Sequence, residues 1–141
     1  AKELAKKLAF KKGRAYALKN IGLGYYMQGN YLQVLKNWQQ SLNIFEELND
    51  HQGVANIVNN LGAIYYNMGE DAKAIEYYQL ALDKDQRQAK VWIGMGISQE
   101  HTDQLKDALR SYRIAARFGN INARLQDFSD KRISQLVKVI N

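Results

Sequence analysis

Asn59 to Leu82 reads NNLGAIYYNMGEDAKAIEYYQLAL. Leu61, Gly62 and Tyr65 recur at the spacing that puts side chains on one face of a helix. Met68-Gly69-Glu70 interrupts the pattern, and Ala74, Tyr78 and Ala81 resume it. The stretch is therefore two amphipathic helices joined by a short turn. Shifted 40 residues toward the N-terminus, the same positions hold Ile21-Gly22, Tyr25, Val34, Trp38 and Ser41. Shifted 34 residues toward the C-terminus, they hold Met95-Gly96, Gln99, Ala108, Tyr112 and Ala115. A register of small and large residues that survives two shifts is an internal repeat.

Working outward, Ala1 to Phe10 reads as a helix with Leu4 and Leu8 on one face. By the 40-residue shift Ala1–Gly13 falls on Ser41–Gly53, so residues 1–13 are expected to be the second half of a worn or earlier repeat. The first complete repeat spans 14–53. Its first helix runs from about Arg14 to Gln28, with Leu18, Ile21, Gly22 and Tyr25 inward, and stops at Gly29-Asn30. Its second helix runs from about Tyr31 to Leu48, and Asn49 to Gly53 is read as a loop. The second repeat spans 54–87, with Val58, Leu61, Gly62 and Tyr65 inward on its first helix. Asp71 begins its second helix, at the positive end of the helix dipole. The third repeat spans 88–120 and turns at Thr102-Asp103. Residues 121–141 lack the small-residue register and read as a capping helix, with a break open at Ser129-Asp130.

The 141 residues suffice for one domain, and 46% hydrophobic with 24% charged residues is an ordinary globular balance. The absence of proline favours an all-helical fold. The absence of cysteine excludes a disulfide framework and thiolate chemistry. No apolar run is long enough for a membrane span, and Ala1–Arg14 lacks the apolar core of a signal peptide, so a cytoplasmic chain without membrane insertion is expected. The net charge of +6 sits at the two ends. Residues 1–14 carry six Lys/Arg against one Glu, and residues 89–141 carry nine Lys/Arg against five acids. Solvated outer faces of terminal helices account for this, with a basic patch for nucleic acid or acidic lipid as the rival.

Each glycine of the register lets a neighbouring helix approach closely. Ala74, Ala81, Ala108 and Ala115 do the same on the partner helices. Tyr25, Tyr65, Tyr78 and Tyr112 fill the gaps and are expected to keep their hydroxyls at the rim. One helix pair cannot bury both of its faces, so pairs stack. Leu61-Gly62…Tyr65…Ala74…Tyr78…Ala81 and Trp92…Met95-Gly96…Ala108…Tyr112…Ala115 resemble the tetratricopeptide repeat (TPR). The 40-residue period with Gly53 is similar to the longer TPRs of bacterial signalling and regulatory proteins. Val34, Trp38 and Ser41 depart from the family pattern in the first repeat, and Gln99 in the third. Gln86 and Asn120 stand where a proline often follows the second helix.

The resemblance implies an all-α, right-handed superhelical solenoid of antiparallel helix pairs with a concave groove lined by first helices. It also implies a scaffold that binds a peptide or partner protein there. The residues left for that lining are Tyr16, Lys19, Asn20, Leu23, Tyr26 and Met27, then Asn56, Asn59, Asn60, Ala63, Tyr66 and Asn67, then Lys90, Ile93, Gly94, Ile97 and His101. Asn20 and Asn60 are equivalent under the 40-residue shift. Asparagine is a mediocre helix former, so Asn56, Asn59, Asn60 and Asn67 in one helix call for an explanation. An amide offers both a donor and an acceptor, which suits the backbone of an extended peptide. The plain alternative is that Asn is tolerated on a solvated face. Lys19, Asn60 and Lys90 fall on three positions of the carboxylate clamp with which some TPR domains hold acidic chaperone tails. Leu23 and Gly94 occupy two others, so no complete clamp is expected, and a preference for an acidic or C-terminal peptide stays open.

No chemistry of a catalytic or cofactor site is legible. His51 and His101 are 50 residues apart without ligand spacing, and both read as surface histidines. Gly22-Leu23-Gly24 lies inside a helix and lacks the strand of a phosphate loop. The serines have no paired base. The expectation is a non-enzyme without metal or cofactor. A second reading is a structural module that self-associates through its terminal repeats, because Leu4 and Leu8 would otherwise stay partly exposed. Nucleic acid is a poor fit, since the aromatics belong to the repeat core.

Overall fold

The computed structural model describes residues 1–140, and among them every regular element is a helix. The last residue of the expected capping segment, Asn141, lies outside the described residues. The helices are α1 (Lys2–Met27), α2 (Tyr31–Glu47), α3 (His51–Asn67), α4 (Asp71–Lys84), α5 (Ala89–His101), α6 (Leu105–Phe118) and α7 (Ala123–Ile140). Helices α1 and α2, α3 and α4, and α5 and α6 pack as pairs, and each pair touches the next through α2–α3, α4–α5 and α6–α7.

One device turns the chain four times. After α1, Gly29 takes φ +74°, its N–H donates to the Tyr26 carbonyl, and the Asn30 N–H donates to that of Tyr25. Asn49, Gly69 and Asp103 repeat the pattern after α2, α3 and α5. This left-handed stop suits glycine, asparagine and aspartate because their side chains are absent or short and polar. Asn30 and Asp50 then cap the following helices, accepting from Gln33 N at 3.4 Å and Gly53 N at 3.0 Å.

Two expected boundaries differ in the structure. No helix break separates residues 1–13 from 14–28: α1 runs unbroken from Lys2 to Met27. The turn at Asn49 needs a left-handed residue, and the 40-residue shift puts Ala9 there, which favours continued helix. Lys11 and Lys12 lie 3.6 and 3.8 Å from Glu47 and Asp50, tying α1 to the end of α2. The stretch His51–Gly53, read as loop, is the first turn of α3 under the Asp50 cap. Gly53 is there for close approach, since a Cβ would collide with the Phe45 ring. At the other end, α7 crosses Ser129-Asp130 without a break, capped by Asn122 Oδ1 accepting from Leu125 N at 2.9 Å.

The core follows the repeat register with two corrections. Ile21 is 50% exposed where its equivalent Leu61 is 1% exposed. The α3 face carrying Leu61 packs on α2, and no described helix packs on the matching face of α1. Tyr78 and Tyr112 are buried rather than rimmed, with Phe128 of α7 edge-on to the Tyr112 ring at 6.0 Å. Apart from the apolar Val34, which is buried, the family departures are each matched by a local bond. Trp38 Nε1 donates to the Lys19 carbonyl at 2.9 Å, and Ser41 Oγ donates to the Ala15 carbonyl at 2.8 Å. Ser111 Oγ donates to Gln99 Oε1 at 2.6 Å. In the proline positions, the Gln86 carbonyl accepts from Trp92 Nε1 at 2.7 Å, and Asn120 Nδ2 donates to the Arg87 carbonyl at 2.9 Å.

Candidate functional site

The first helices α1, α3 and α5 lie in sequence along one side of the array. Their outward residues are those the core register leaves over. Between α1 and α3 they form a depression of about 210 Å³. Leu23 and Tyr26 stand on the α1 side, Asn60 and Ala63 on the α3 side, and Trp38 and Ile64 close the floor. Both floor residues are buried, while Leu23, Tyr26 and Ala63 are exposed and Asn60 is half-buried. The Asn60 amide makes no side-chain hydrogen bond among the described residues.

At the C-terminal ends of the first helices, each step is bridged to the next. Asn67 Nδ2 on α3 donates to Tyr26 Oη on α1 at 3.4 Å. One step on, the Tyr66 ring of α3 stacks on the His101 ring of α5, with centroids 5.6 Å apart. His101 Nδ1 lies 3.2 Å from Asp71 Oδ1, so the imidazole is held between an aromatic face and a carboxylate. At the last step Arg132 of α7 makes a two-pronged contact with Glu100, both bonds at 2.8 Å. Burial, and then the Glu100 charge, push the neighbouring Tyr112 phenol well above its ordinary range. Burial likewise pushes Tyr78 up to about 12, with Tyr66 and Asp71 adding smaller pushes.

Of the residues singled out in the sequence, Tyr26, Asn60, Tyr66 and Asn67 are drawn into these features. Asn56 faces a separate polar depression of about 290 Å³ beside the α4–α5 turn, where Lys84 and Arg87 also stand. Lys19 is half-buried and Lys90 exposed, and neither has an ion-pair partner among the described residues. Asn20 is exposed and Asn59 half-buried, with no side-chain hydrogen bond from either among the described residues. Ile93, read as groove lining, is instead buried with the core, where an aliphatic side chain gains about 1.5–3 kcal/mol. Asp71, Trp38 and the Glu100–Arg132 pair were not visible as site neighbours. Their contacts join residues 19, 30 and 32 apart in sequence, and no motif spacing carries that information. Among the described residues there is no group of three or more His, Asp or Glu placed to hold a metal, and no helix is long and apolar enough to cross a membrane.

Known proteins share this geometry. The tetratricopeptide repeat family model matches residues 13–87, more than half of the chain. The chain belongs to the tetratricopeptide repeat family. It is similar to the photosystem I assembly protein Ycf3 of Synechococcus sp. (strain CC9311), 33% identical over 86 residues, covering 61% of this chain and 48% of that protein. The Ycf3 of Prochlorococcus marinus (strain MIT 9303) is 31% identical over 87 residues, covering 62% and 49%. The match therefore spans about half the length of these relatives.

Solved structures share the architecture at low identity. The first TPR of Spaghetti (RPAP3), bound to the HSP90 peptide SRMEEVD, superposes with a TM-score of 0.75 at 16% identity, covering 92% of this chain and 97% of that one. The Arabidopsis OM64 TPR domain gives 0.75 at 16%, covering 89% and 98%. The fold is thus an all-α TPR solenoid of helix pairs, and a TPR solenoid is a protein-interaction scaffold.

Proposed function

We propose that the side of the array formed by α1, α3 and α5 binds an extended peptide or partner segment, and that binding is the whole of its activity. The observation that carries this reading is the depression between α1 and α3, with the unbonded Asn60 amide at its edge. An amide there donates and accepts at once, as a peptide backbone requires. Lys19 and Lys90, without acidic partners among the described residues, favour a segment bearing carboxylates. The cyanobacterial relatives are named as photosystem I assembly proteins, which supports a partner held during assembly of a larger complex. We place this binding in the cytoplasm, and recovery of the chain with membranes on fractionation would contradict that part.

The test is the double variant Asn60→Ala/Lys90→Ala. A partner captured by the native chain should bind the variant about tenfold or more weakly, since an amide hydrogen bond and an exposed ion pair together contribute about 1–2 kcal/mol. Helicity should not change. Unaltered affinity removes the groove from the account. A second reading, self-association, rests on Leu4, Leu8 and Phe10, which α1 leaves exposed. Light scattering over a concentration series decides it, and a strict monomer throughout excludes it.

A further inference from the structure

We infer that the outer face of the second helix α6 is a further interaction surface, and that it takes an acidic helix of a partner protein. Lys106, Arg110, Arg113 and Arg117 recur at steps of 4, 3 and 4 residues. That spacing sets them in one line along α6, opposite the buried Ala108 and Ala115. All four are exposed, and none has an acidic partner among the described residues. The internal repeat shows what the same line holds elsewhere. On α4, 34 residues earlier, it is Ala72, Glu76, Gln79 and Asp83. On α2, another 40 earlier, it is Leu32, Lys36, Gln39 and Asn43. Those positions are all exposed too, so a solvated outer face in this chain is met with one or two charges. Like charges three and four residues apart destabilise a helix, and Asp107, the one acid of α6, pairs with none of the four. A row of four cations is therefore matched only by carboxylates from outside.

The width of the row selects the partner. The four cations span about 16 Å along the axis, and a helix with carboxylates at i, i+4, i+7 and i+11 presents the same row. A helix about 10 Å wide covers α6 alone. A wider polyanion meets α4 as well, because packed helices lie about 8–10 Å apart, close to the Debye length at physiological salt. Over α6, a duplex or an anionic membrane would also face Glu76 and Asp83, which are exposed. The two helices do stand side by side: Leu82 of α4 and Ile114 and Phe118 of α6 line a depression of about 210 Å³ between them. Trp92 lines it too, and the Arg110 guanidinium stands over the Trp92 ring at 6.0 Å. That depression offers room for one apolar side chain of the partner helix beside the ionic row.

The probe is a synthetic alanine-based helix of about 20 residues with Glu at i, i+4, i+7 and i+11, compared with a scrambled peptide of the same composition. In fluorescence anisotropy the 141-residue chain should bind the ordered peptide about tenfold or more tightly than the scrambled one. Added salt should weaken that binding. Arg113→Glu/Arg117→Glu should lower the affinity about tenfold or more. Lys2→Glu/Lys6→Glu makes the same change of net charge on α1 and should leave the affinity unaltered. All four positions are exposed, so circular dichroism should show unchanged helicity. Glu76→Lys/Asp83→Lys removes the neighbouring acids and should allow binding of duplex DNA and phosphatidylserine vesicles that the native chain leaves free. Several results overturn the inference: no binding of the ordered peptide, equal binding of the scrambled one, equal loss from both charge reversals, or tighter binding of the native chain to duplex DNA or vesicles. Asn60→Ala/Lys90→Ala should bind the ordered peptide normally, because both residues belong to first helices. Loss of the peptide in that variant would place it in the groove and overturn the inference as well. Failure of the groove reading alone leaves the α6 surface standing.

Discussion

Replacing Gly62 by Ala should destabilise the chain, although alanine is the better helix former. A Cβ at Gly62 would lie 2.8 Å from Tyr78 Cδ1, whereas ordinary contact begins at 3.4 Å. The ring would have to retreat by about 0.6 Å in a close-packed interior. Its retreat is obstructed, because the far end of the same ring lies against Gly94 of α5, where an added Cβ would meet Tyr78 Cζ at 2.8 Å. Overpacking of this kind costs about 1–3 kcal/mol, against a propensity gain of about 0.5–1 kcal/mol. Mid-range values leave a net loss of about 1 kcal/mol, a fall in Tm of about 3–5 °C. Gly13→Ala supplies the control. Gly13 lies inside α1 with nothing within 4 Å of its Cβ position, so it should gain about 0.5–1 kcal/mol. Thermal melts by circular dichroism read both. In Tyr78→Leu, Gly62→Ala should add little further loss, because the clash is gone. Equal stabilisation by Gly62→Ala and Gly13→Ala would refute the claim that Tyr78 is wedged between consecutive first helices.

Alkaline pH should unfold the chain in a window set by its buried phenols. Tyr78 is raised from 10.0 to about 12, so the folded state keeps a proton that the unfolded state has released. Stability is complete below about pH 10 and is lost as pH rises toward 12, by about 1.4 kcal/mol per pH unit for one group. Tyr78→Phe should flatten that slope, and an unchanged slope counts against it. Arg132→Ala should cost about 1–3 kcal/mol by removing the two-pronged bond to Glu100, with faster hydrogen exchange concentrated in α7. Exchange that rises evenly over all helices would contradict α7 as a separable cap. Trp38→Phe should cost about 1–2 kcal/mol in the first repeat through loss of the Lys19 bond, and an equal Tm for variant and native chain would show the bond to be idle.

The fold was legible because helix pairs repeat their packing. Leu61, Gly62, Tyr65, Ala74, Tyr78 and Ala81 meet as their spacing predicts, and the same register locates the weaker copies. Errors arose where the register was trusted beyond its physics. The 40-residue shift set residues 1–13 apart from the helix that follows, but Ala9 cannot supply the left-handed stop that Asn49 does. It also carried Leu61's burial onto Ile21, although burial depends on a neighbouring helix and no described helix covers that face of α1. The site was legible residue by residue but not as an arrangement. Asn60, Tyr26 and Asn67 could be placed on groove faces, yet the pocket needs Trp38 from the second helix of a different pair from Asn60. Contacts between pairs depend on how far each ring intrudes. That is set by tertiary packing and has no period.

The central claim is that a partner lies against the first helices. It is tested most directly by placing a photo-crosslinking phenylalanine at exposed Ala63 and, separately, at exposed Leu80 of the second helix α4, then irradiating cells and identifying adducts by mass spectrometry. The account predicts a discrete adduct from position 63 that is absent from position 80 and is lost on Asn60→Ala/Lys90→Ala. The same adduct from position 80, or none from position 63 while the partner still co-purifies, would contradict it.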